Sequence, residues 1–325
     1  MLNTHKLRLA DPHAAQRCKP IPVNCIQGLL SGQVTKRIKL NLIGTLMPSI
    51  TSKIEYKTLV QPILDTMLKA GEVVMDVYNS DFEVYGKADQ SPVTEADRRG
   101  EDIITAALTQ MAPHIPVVGE EAKSEGKCPD ISGGTFWLVD PLDGTKEFIK
   151  KGSDFTVNIG LIENSVPIMG FVFAPALKTI YWGAVGDGAY MAQVENGRIK
   201  EPRHIRCRKA DTKNLTIVAS KSHRSPELEA YLKHFPNAKN ISIGSSLKLC
   251  LLATGEADLY PRLGPTCEWD TAAAHAVLLA AGGSVEIAGG VPLTYAKDLK
   301  TFLNPWFLCR ADQNYAAPGL TSGSE

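Results

Sequence analysis

Between Thr156 and Val194 the chain places four short runs, at Thr156 to Ile162, Ile168 to Phe173, Thr179 to Ala184 and Ala189 to Val194, with only tight turns between them. β-Branched and aromatic residues in runs of this length read as strands. Their connections are too short for the crossover that parallel strands need, so successive runs must pair antiparallel. Asn196-Gly197, just past the last run, is the dipeptide that a type I′ hairpin turn demands. An antiparallel meander is therefore expected in the middle of the chain.

The flanks obey other periods. From Tyr56 onward, Leu59, Val60, Ile63, Leu64, Met67, Leu68, Ala70, Val73, Val74 and Val77 recur at steps of three and four, which predicts a long amphipathic helix. A polar loop leads to Pro92, and Thr94-Glu-Ala-Asp97 then has the form of a helix start with an acid in the capping-box position. Ile103, Ile104, Ala107, Leu108 and Met111 form the apolar stripe of that second helix, Pro113 and Pro116 close it, and Val117-Val118 is a short buried strand entering Gly119-Glu120-Glu121. Beyond the meander the pattern alternates: a strand at Leu215 to Ala219, helices near Pro226 to His234 and Ser246 to Ala253, a strand at Ala257 to Pro261, and a helix from Asp270 to Ala281 stopped by Gly282-Gly283. The expected organisation is a basic extension at 1–55, an α+β half with the antiparallel sheet at 56–198, an α/β half at 199–314, and a flexible tail at 315–325.

Composition narrows the partners. Lys+Arg and Asp+Glu balance at 35 each, so no global basic field favours a nucleic acid polymer, and 44% hydrophobic with 22% charged residues is ordinary for a globular chain. The seven cysteines are scattered and never form CxxC, which argues against a zinc knuckle or a disulfide framework and for a reducing cytoplasm. No apolar run is long enough to span a bilayer, so no integral membrane segment is expected; loose attachment at the inner membrane surface stays open. In Met1 to Ile54, Lys6, Arg8, Arg17, Lys19, Lys36, Arg37, Lys39 and Lys53 face a single acid, Asp11. Targeting segments are basic and acid-poor in this way. Met47, however, stands shortly before the first convincing helix and no clean amphipathic Arg/Ser helix precedes it, so the favoured expectation is a disordered or translated leader upstream of the true start.

The chemistry is concentrated in Phe136 to Phe148, FWLVDPLDGTKEF. A turn after an apolar strand needs one Asp and one Gly, so the second Asp requires another reason. If Pro141 ends the ladder of this strand, the Leu142 carbonyl is exposed and converges with Asp140 and Asp143. Those are hard oxygen donors, which select Mg²⁺, Mn²⁺ or Ca²⁺ over zinc or iron. Gly144 and Thr145 then open a helix whose free N–H groups make an anion site. A cation site beside an anion site suits metal-assisted attack on phosphate, and the second Asp permits a second metal. Further acids stand at Glu120-Glu121, otherwise a solvated acidic turn, and at Asp270, otherwise a helix N-cap.

GEE at Gly119 to Glu121, WLVDPLDGT at Trp137 to Thr145 and WDTAAAHAVLLAAGG at Trp269 to Gly283 resemble the signature segments of the inositol monophosphatase superfamily, Mg²⁺-dependent, lithium-sensitive phosphatases, in the right order across Thr58 to Asp312. The resemblance implies an α/β fold, a layered αβαβα sandwich of the sugar-phosphatase type with the active site between its two halves. It implies two or three Mg²⁺ held by Glu120, Asp140, the Leu142 carbonyl, Asp143 and Asp270, with Asp140 bridging two of them. It also implies that Asp97 accepts a hydrogen bond from Thr145, and that this pair with Glu120 positions the attacking water. Helix capping is the competing role for Asp97, and the two can coexist.

SKSH at Ser220 to His223, IGSSLKLC at Ile243 to Cys250, LYPRLGPT at Leu259 to Thr266 and KEF after DGT resemble one branch of that superfamily, the CysQ-type 3′(2′),5′-bisphosphate nucleotidases. There His223, Ser245, Lys248 and Arg262 would line the nucleotide site, beside the phosphate site of Gly144, Thr145 and Asp270. The chemistry agrees, because a second, non-reacting phosphate needs Lys and Arg. The bland alternatives are a solvated helix face for Lys248 and a loop histidine for His223, while His275, among alanines, reads as a packed histidine. The implied reaction is hydrolysis of the 3′-phosphate of adenosine 3′,5′-bisphosphate to AMP and phosphate, in sulfur assimilation. The rivals are an inositol or sugar monophosphate phosphatase of the same fold and a non-catalytic nucleotide sensor. The expected partner is a small nucleotide, and the oligomeric state is not encoded in these motifs.

Overall fold

The computed structural model describes residues 56–86, 92–220 and 225–320. The expectations for residues 1–55, for His223 and for 321–325 of the tail lie outside them; the rest of the 315–325 tail is not flexible as expected, since Tyr315, Ala317 and Leu320 join an apolar cluster with Leu228 and Tyr231, and the Tyr231 hydroxyl donates to the Pro318 carbonyl at 2.8 Å. After a short 3₁₀ turn at Tyr56–Leu59, helix α1 spans Val60–Tyr78 and buries Ile63, Leu64, Met67, Ala70, Val74 and Val77 on one face, as the three-and-four spacing requires. A two-residue ladder of β1 (Tyr85–Gly86) and β2 (Pro92–Val93) precedes α2, Glu95–Met111. Thr94 starts α2 with a complete capping box: its hydroxyl accepts the Ala96 N–H, and the Asp97 carboxylate accepts the Thr94 N–H at 2.7 Å.

α1 and α2 pack on each other and cover one face of a seven-stranded sheet. Its strands run in sequence order: β3 (Val117–Gly119), β4 (Thr135–Asp143), β5 (Thr156–Glu163), β6 (Val166–Ala174), β7 (Thr179–Ala184), β8 (Gly188–Glu195) and β9 (Arg198–Ile205). β3 and β4 are parallel and every other neighbouring pair is antiparallel, which realises the expected meander. The short helices α3 (Glu120–Ser124) and α4 (Thr145–Ile149) follow β3 and β4 directly.

The second sheet, of five strands, comprises β10 (Thr216–Ser220), β11 (Lys239–Ile243), β12 (Leu259–Arg262), β13 (Ser284–Ile287) and β14 (Phe307–Arg310) in the order β11-β10-β12-β14-β13. Helices α6 (Leu247–Ala253) and α7 (Trp269–Ala280) lie between the sheets, in a core that joins Val172 and Met191 of the first to Val218, Tyr260, Phe307 and Cys309 of the second. The alternate residues Ile217, Leu259 and Leu308 point the other way, onto α5 (Pro226–Leu232). The layers read α1/α2, sheet, α6/α7, sheet, α5: an αβαβα sandwich. Among the described residues no helix is long and apolar enough to cross a membrane.

A glycine stripe sets how closely α7 lies on the first sheet. Gly160, Gly170 and Gly183 are register partners on β5, β6 and β7. A methyl group at Gly160 would stand 2.8 Å from Ala272 Cβ, one at Gly183 would stand 2.9 Å from Ala280 Cβ, and one at Gly170 would overlap the Ala273 carbonyl oxygen. Alanines on the helix thus meet glycines on the sheet almost backbone to backbone, which brings Asp270, in the first turn of α7, down to the sheet. Gly170→Ala, opposed by backbone rather than by a flexible side chain, is expected to cost about 2–3 kcal/mol. A lowered urea midpoint at unchanged slope checks it, and a variant as stable as the parent would show that α7 lifts freely.

Six strands absent from the sequence expectation are present: the two-residue β1 and β2, and β9, β11, β13 and β14. β9, β11 and β13 are sheet edges, and β9 and β11 are largely exposed, so their composition is polar and the apolar alternation that marks a strand is missing. β9 runs from residue 198 into the expected second half yet completes the first sheet. The strand carrying the two aspartates also differs. Pro141 interrupts the ladder but does not end it, because pairing resumes with Asp143 opposite Thr156.

Candidate active site

On β4 the register steps from Asp140 opposite Asn158 to Asp143 opposite Thr156. Three residues advance on β4 against two on β5, which is a β-bulge. Without it, residues three apart on a strand would face opposite sides. The extra residue restores the phase, and Asp140 and Asp143 act on each other electrostatically. The bulge holds itself in place: Asp140 Oδ1 accepts the Leu142 N–H at 3.0 Å, and the Leu142 carbonyl accepts the Thr145 hydroxyl at 3.2 Å. Asp140 is 1% exposed, a burial that an acid tolerates only with partners.

Glu120 opens α3 and Asp270 sits in the first turn of α7. The solvated-turn alternative for Glu120-Glu121 fails, since Glu121 is buried and Glu120 partly so. Asp270 is not an N-cap either. Glu268 occupies that position, and Asp270 instead accepts the Thr266 hydroxyl and, at 2.8 Å, the Cys267 N–H. Burial first, then repulsion from Glu120, Asp143 and Asp270, raises the Asp140 carboxyl well above the usual range. Burial, then Asp270, raises Asp143 to about 7, and burial raises Asp270. Among the described residues no three His, Cys, Asp or Glu side chains already form a coordination cage. By donor type alone the set suits a hard divalent cation, since Glu120, Asp143 and Asp270 all act electrostatically on Asp140 and every donor is an oxygen.

This field has a consequence for stability. A buried acid whose folded value is raised carries no penalty below its unfolded pKa; the penalty grows as pH rises and is complete above the folded value. For Asp143 the window runs from 3.8 to about 7. With divalent cations chelated, the protein is therefore expected to lose about 2–4 kcal/mol between pH 5 and pH 8. Thermal unfolding checks this, with Mg²⁺ raising the midpoint most at pH 8. A midpoint that rises with pH in chelator would refute the mutual repulsion.

Thr145 follows Gly144, whose φ of 98° lies in the left-handed region that glycine adopts freely. The Thr145 hydroxyl reaches Asp97 Oδ1 at 3.4 Å. Asp97 Oδ2 is held at 2.7 Å by both the N–H and the hydroxyl of Thr94. The capping role and the contact to Thr145 therefore coexist, on opposite oxygens of a 2% exposed carboxylate.

The cationic side of the site is built on the second half. Lys248 in α6 is 7% exposed, so the solvated-face alternative falls. Its ammonium donates to the Ser245 carbonyl and lies 5.7 Å from the Tyr260 ring centroid. Burial outweighs its attraction to Asp143 and lowers it to about 8. Arg262 ends β12, is 9% exposed and donates to the Pro265 carbonyl. Among the described residues, two buried polar atoms here have no hydrogen-bond partner, Arg262 Nε and the hydroxyl of Ser245, whose φ is 49°. Unpaired buried donors are costly to leave without an acceptor.

Several residues that hold the site were not singled out from the sequence. Thr156, Asn158 and Ser246 form a buried hydrogen-bonded triangle with edges of 2.9, 3.1 and 2.8 Å, tying β5 to the start of α6. The Ser246 N–H also donates to Asp143, so the acidic and cationic sides are joined through one residue. No motif announces this, since the partners are about ninety positions apart. Glu101 is a further such residue, with its carboxylate directed at α3. His275 is packed as expected: buried, 3.0 Å from the Tyr295 hydroxyl, and lowered to about 3 by burial and then Lys297.

The family model described as the inositol monophosphatase family matches residues 56–311. The chain belongs to that family. Within it, the chain is 44% identical over 240 residues to the 3′(2′),5′-bisphosphate nucleotidase CysQ of Shigella flexneri, covering 73% of this chain and 94% of the relative. It is 38% identical to the protein of the same name from Buchnera aphidicola, over 79% of this chain and 95% of the relative. The crystal structure of CysQ from Bacteroides thetaiotaomicron, a bacterial member of the same family, is 40% identical, with a TM-score of 0.67 over 79% of this chain and 98% of that one. An inositol monophosphatase from Zymomonas mobilis, 23% identical with a TM-score of 0.63, shares the fold.

Proposed function

We propose that this chain hydrolyses the 3′-phosphate of adenosine 3′,5′-bisphosphate, releasing AMP and phosphate, with Mg²⁺ as its cofactor. The observation that carries this is the buried Lys248 and Arg262 set within electrostatic reach of Asp143 and Asp270, while Arg262 Nε and the Ser245 hydroxyl lack partners among the described residues. A monophosphate ester offers one anionic group, which the acidic side would receive through a cation. The buried cations suit a second, non-reacting phosphate. The CysQ relatives named above point the same way.

Glu120, Asp140, the Leu142 carbonyl, Asp143 and Asp270 would hold Mg²⁺, which when bound neutralises charge on the phosphoryl oxygens and lowers the pKa of water. The remaining work falls to the chain. Asp97 is fixed through one oxygen by Thr94, so its other oxygen can accept the Thr145 proton in place of the Leu142 carbonyl, which would serve the cation instead. That orients a Thr145 lone pair toward the site, where it can accept a hydrogen bond from the attacking water, with Glu120 beside it. Lys248, Arg262 and Ser245 grip the 5′-phosphate and set the 3′-phosphate in line. Water oxygen bonds to phosphorus as the bond to the 3′ oxygen breaks; one water proton stays on the released phosphate, the other ends on the 3′ oxygen as the AMP hydroxyl, and no phosphoenzyme forms.

The test is phosphate release at fixed Mg²⁺ from adenosine 3′,5′-bisphosphate and from inositol 1-phosphate, each with and without lithium. Preference for the nucleotide, suppressed by lithium, supports the reading. Preference for the inositol ester would leave the metal chemistry and refute the second anion site. No release from either would favour a nucleotide-sensing role.

A further inference from the structure

The helix that carries Glu120 has no cap of its own. Gly119 occupies the N-cap position of α3 and offers no side-chain oxygen. The first N–H groups of a helix need partners from elsewhere. In α3 they come from another helix: Glu101 of α2, 6% exposed, accepts the Glu121 N–H on Oε2 at 2.8 Å and the Ala122 N–H on Oε1 at 2.7 Å. One carboxylate oxygen serves each donor, and its negative charge lies at the positive end of the helix, where it is favourable. The space for it is supplied by Gly119, because a methyl group there would overlap the Glu101 carboxylate.

Glu101 also lies one turn after Asp97 on the buried face of α2. Asp97 reaches Thr145 and Glu101 reaches α3. A single 17-residue helix thereby fixes the hydroxyl proposed to orient water relative to the carboxylate proposed to bind metal. We propose that Glu101 is a positioning residue: its carboxylate, in the space left by Gly119, holds the first turn of α3 and so sets where Glu120 stands for a divalent cation. This rests on the metal-dependent reading of the site given above.

The test is calorimetric titration of substrate-free protein with MgCl₂, for the parent, Glu101→Ala, Glu101→Gln, Gly119→Ala and the double variant Glu101→Ala/Gly119→Ala. Glu101→Ala is expected to weaken Mg²⁺ binding about 10–100-fold. Glu101→Gln, which keeps one acceptor oxygen, falls between it and the parent. Gly119→Ala weakens binding comparably, but adds nothing in the Glu101→Ala background, because the group its methyl would strike is gone. KM for adenosine 3′,5′-bisphosphate at saturating Mg²⁺ stays within about threefold, which general loss of structure would not allow. Unchanged Mg²⁺ affinity in Glu101→Ala, or a full additive effect of Gly119→Ala in its background, overturns the proposal. If Glu101→Ala does not fold, Glu101→Gln and Gly119→Ala decide it by the same criterion. A parent protein that binds no Mg²⁺ would instead sink the metal-dependent reading, and this inference with it.

Discussion

Asp140→Asn is expected to reduce phosphate release by on the order of 10³-fold or more, equivalent to about 4 kcal/mol of barrier. The side chain is 1% exposed and stands electrostatically among Glu120, Asp143 and Asp270. An amide has nearly the same shape, and its oxygen can still accept the Leu142 N–H that closes the bulge. The substitution therefore removes a charge while preserving the local fold. Metal-free Asp140→Asn should be at least as stable as the parent above pH 7, since a repelling charge has gone. Loss of activity with retained or raised thermal stability is the signature to seek. Near-normal turnover would remove Asp140 from the proposed ligands.

Lys248→Ala is expected to raise KM for adenosine 3′,5′-bisphosphate about 10–100-fold, the worth of one charge-assisted hydrogen bond to phosphate. Hydrolysis of any monophosphate the protein accepts should change far less. Burial makes the effect large: at 7% exposure the ammonium has lost most of its hydration, so water competes weakly with a ligand anion for it. Steady-state kinetics on both substrates distinguish the cases. Equal losses on both would mean that Lys248 supports the metal site through Asp143 and contacts no second phosphate.

Much of the fold was legible because each legible segment carries a strong local signal. α1 has its three-and-four period, α2 its capping box, and β5 to β8 their β-branched runs and turns. β9 and β11 were not, because edge strands facing solvent are written in polar residues, and β13 was not, because four residues are too few for a period to show. β14 is only four residues long and follows an irregular stretch, too little for a period to show. In the site, the acids were legible as residue types at strand ends and helix starts. How they meet was not: the bulge that brings Asp140 and Asp143 into phase depends on pairing with β5, and Pro141 alone suggested a stop.

Burial was harder still to read. Lys248 has the look of a solvent-facing helix position, and what buries it is the placement of α6 between two sheets. Glu101 resembles any acid on a charged helix, and its role appears only when α3 is set against α2.

By itself, the amino-acid sequence determined the elements with strong local periods, the family and the kinds of donor atoms available, because these depend on neighbours within a few residues. Only the tertiary structure decided which of those groups share a site and which charges lose their water. Gly170 must meet Ala273 and Ser246 must meet Asn158 before Asp270 and Lys248 come to the acids of β4, and these contacts span about ninety to a hundred positions of chain. Such long-range packing is set by the closeness of facing backbones, a property no local window of residues carries.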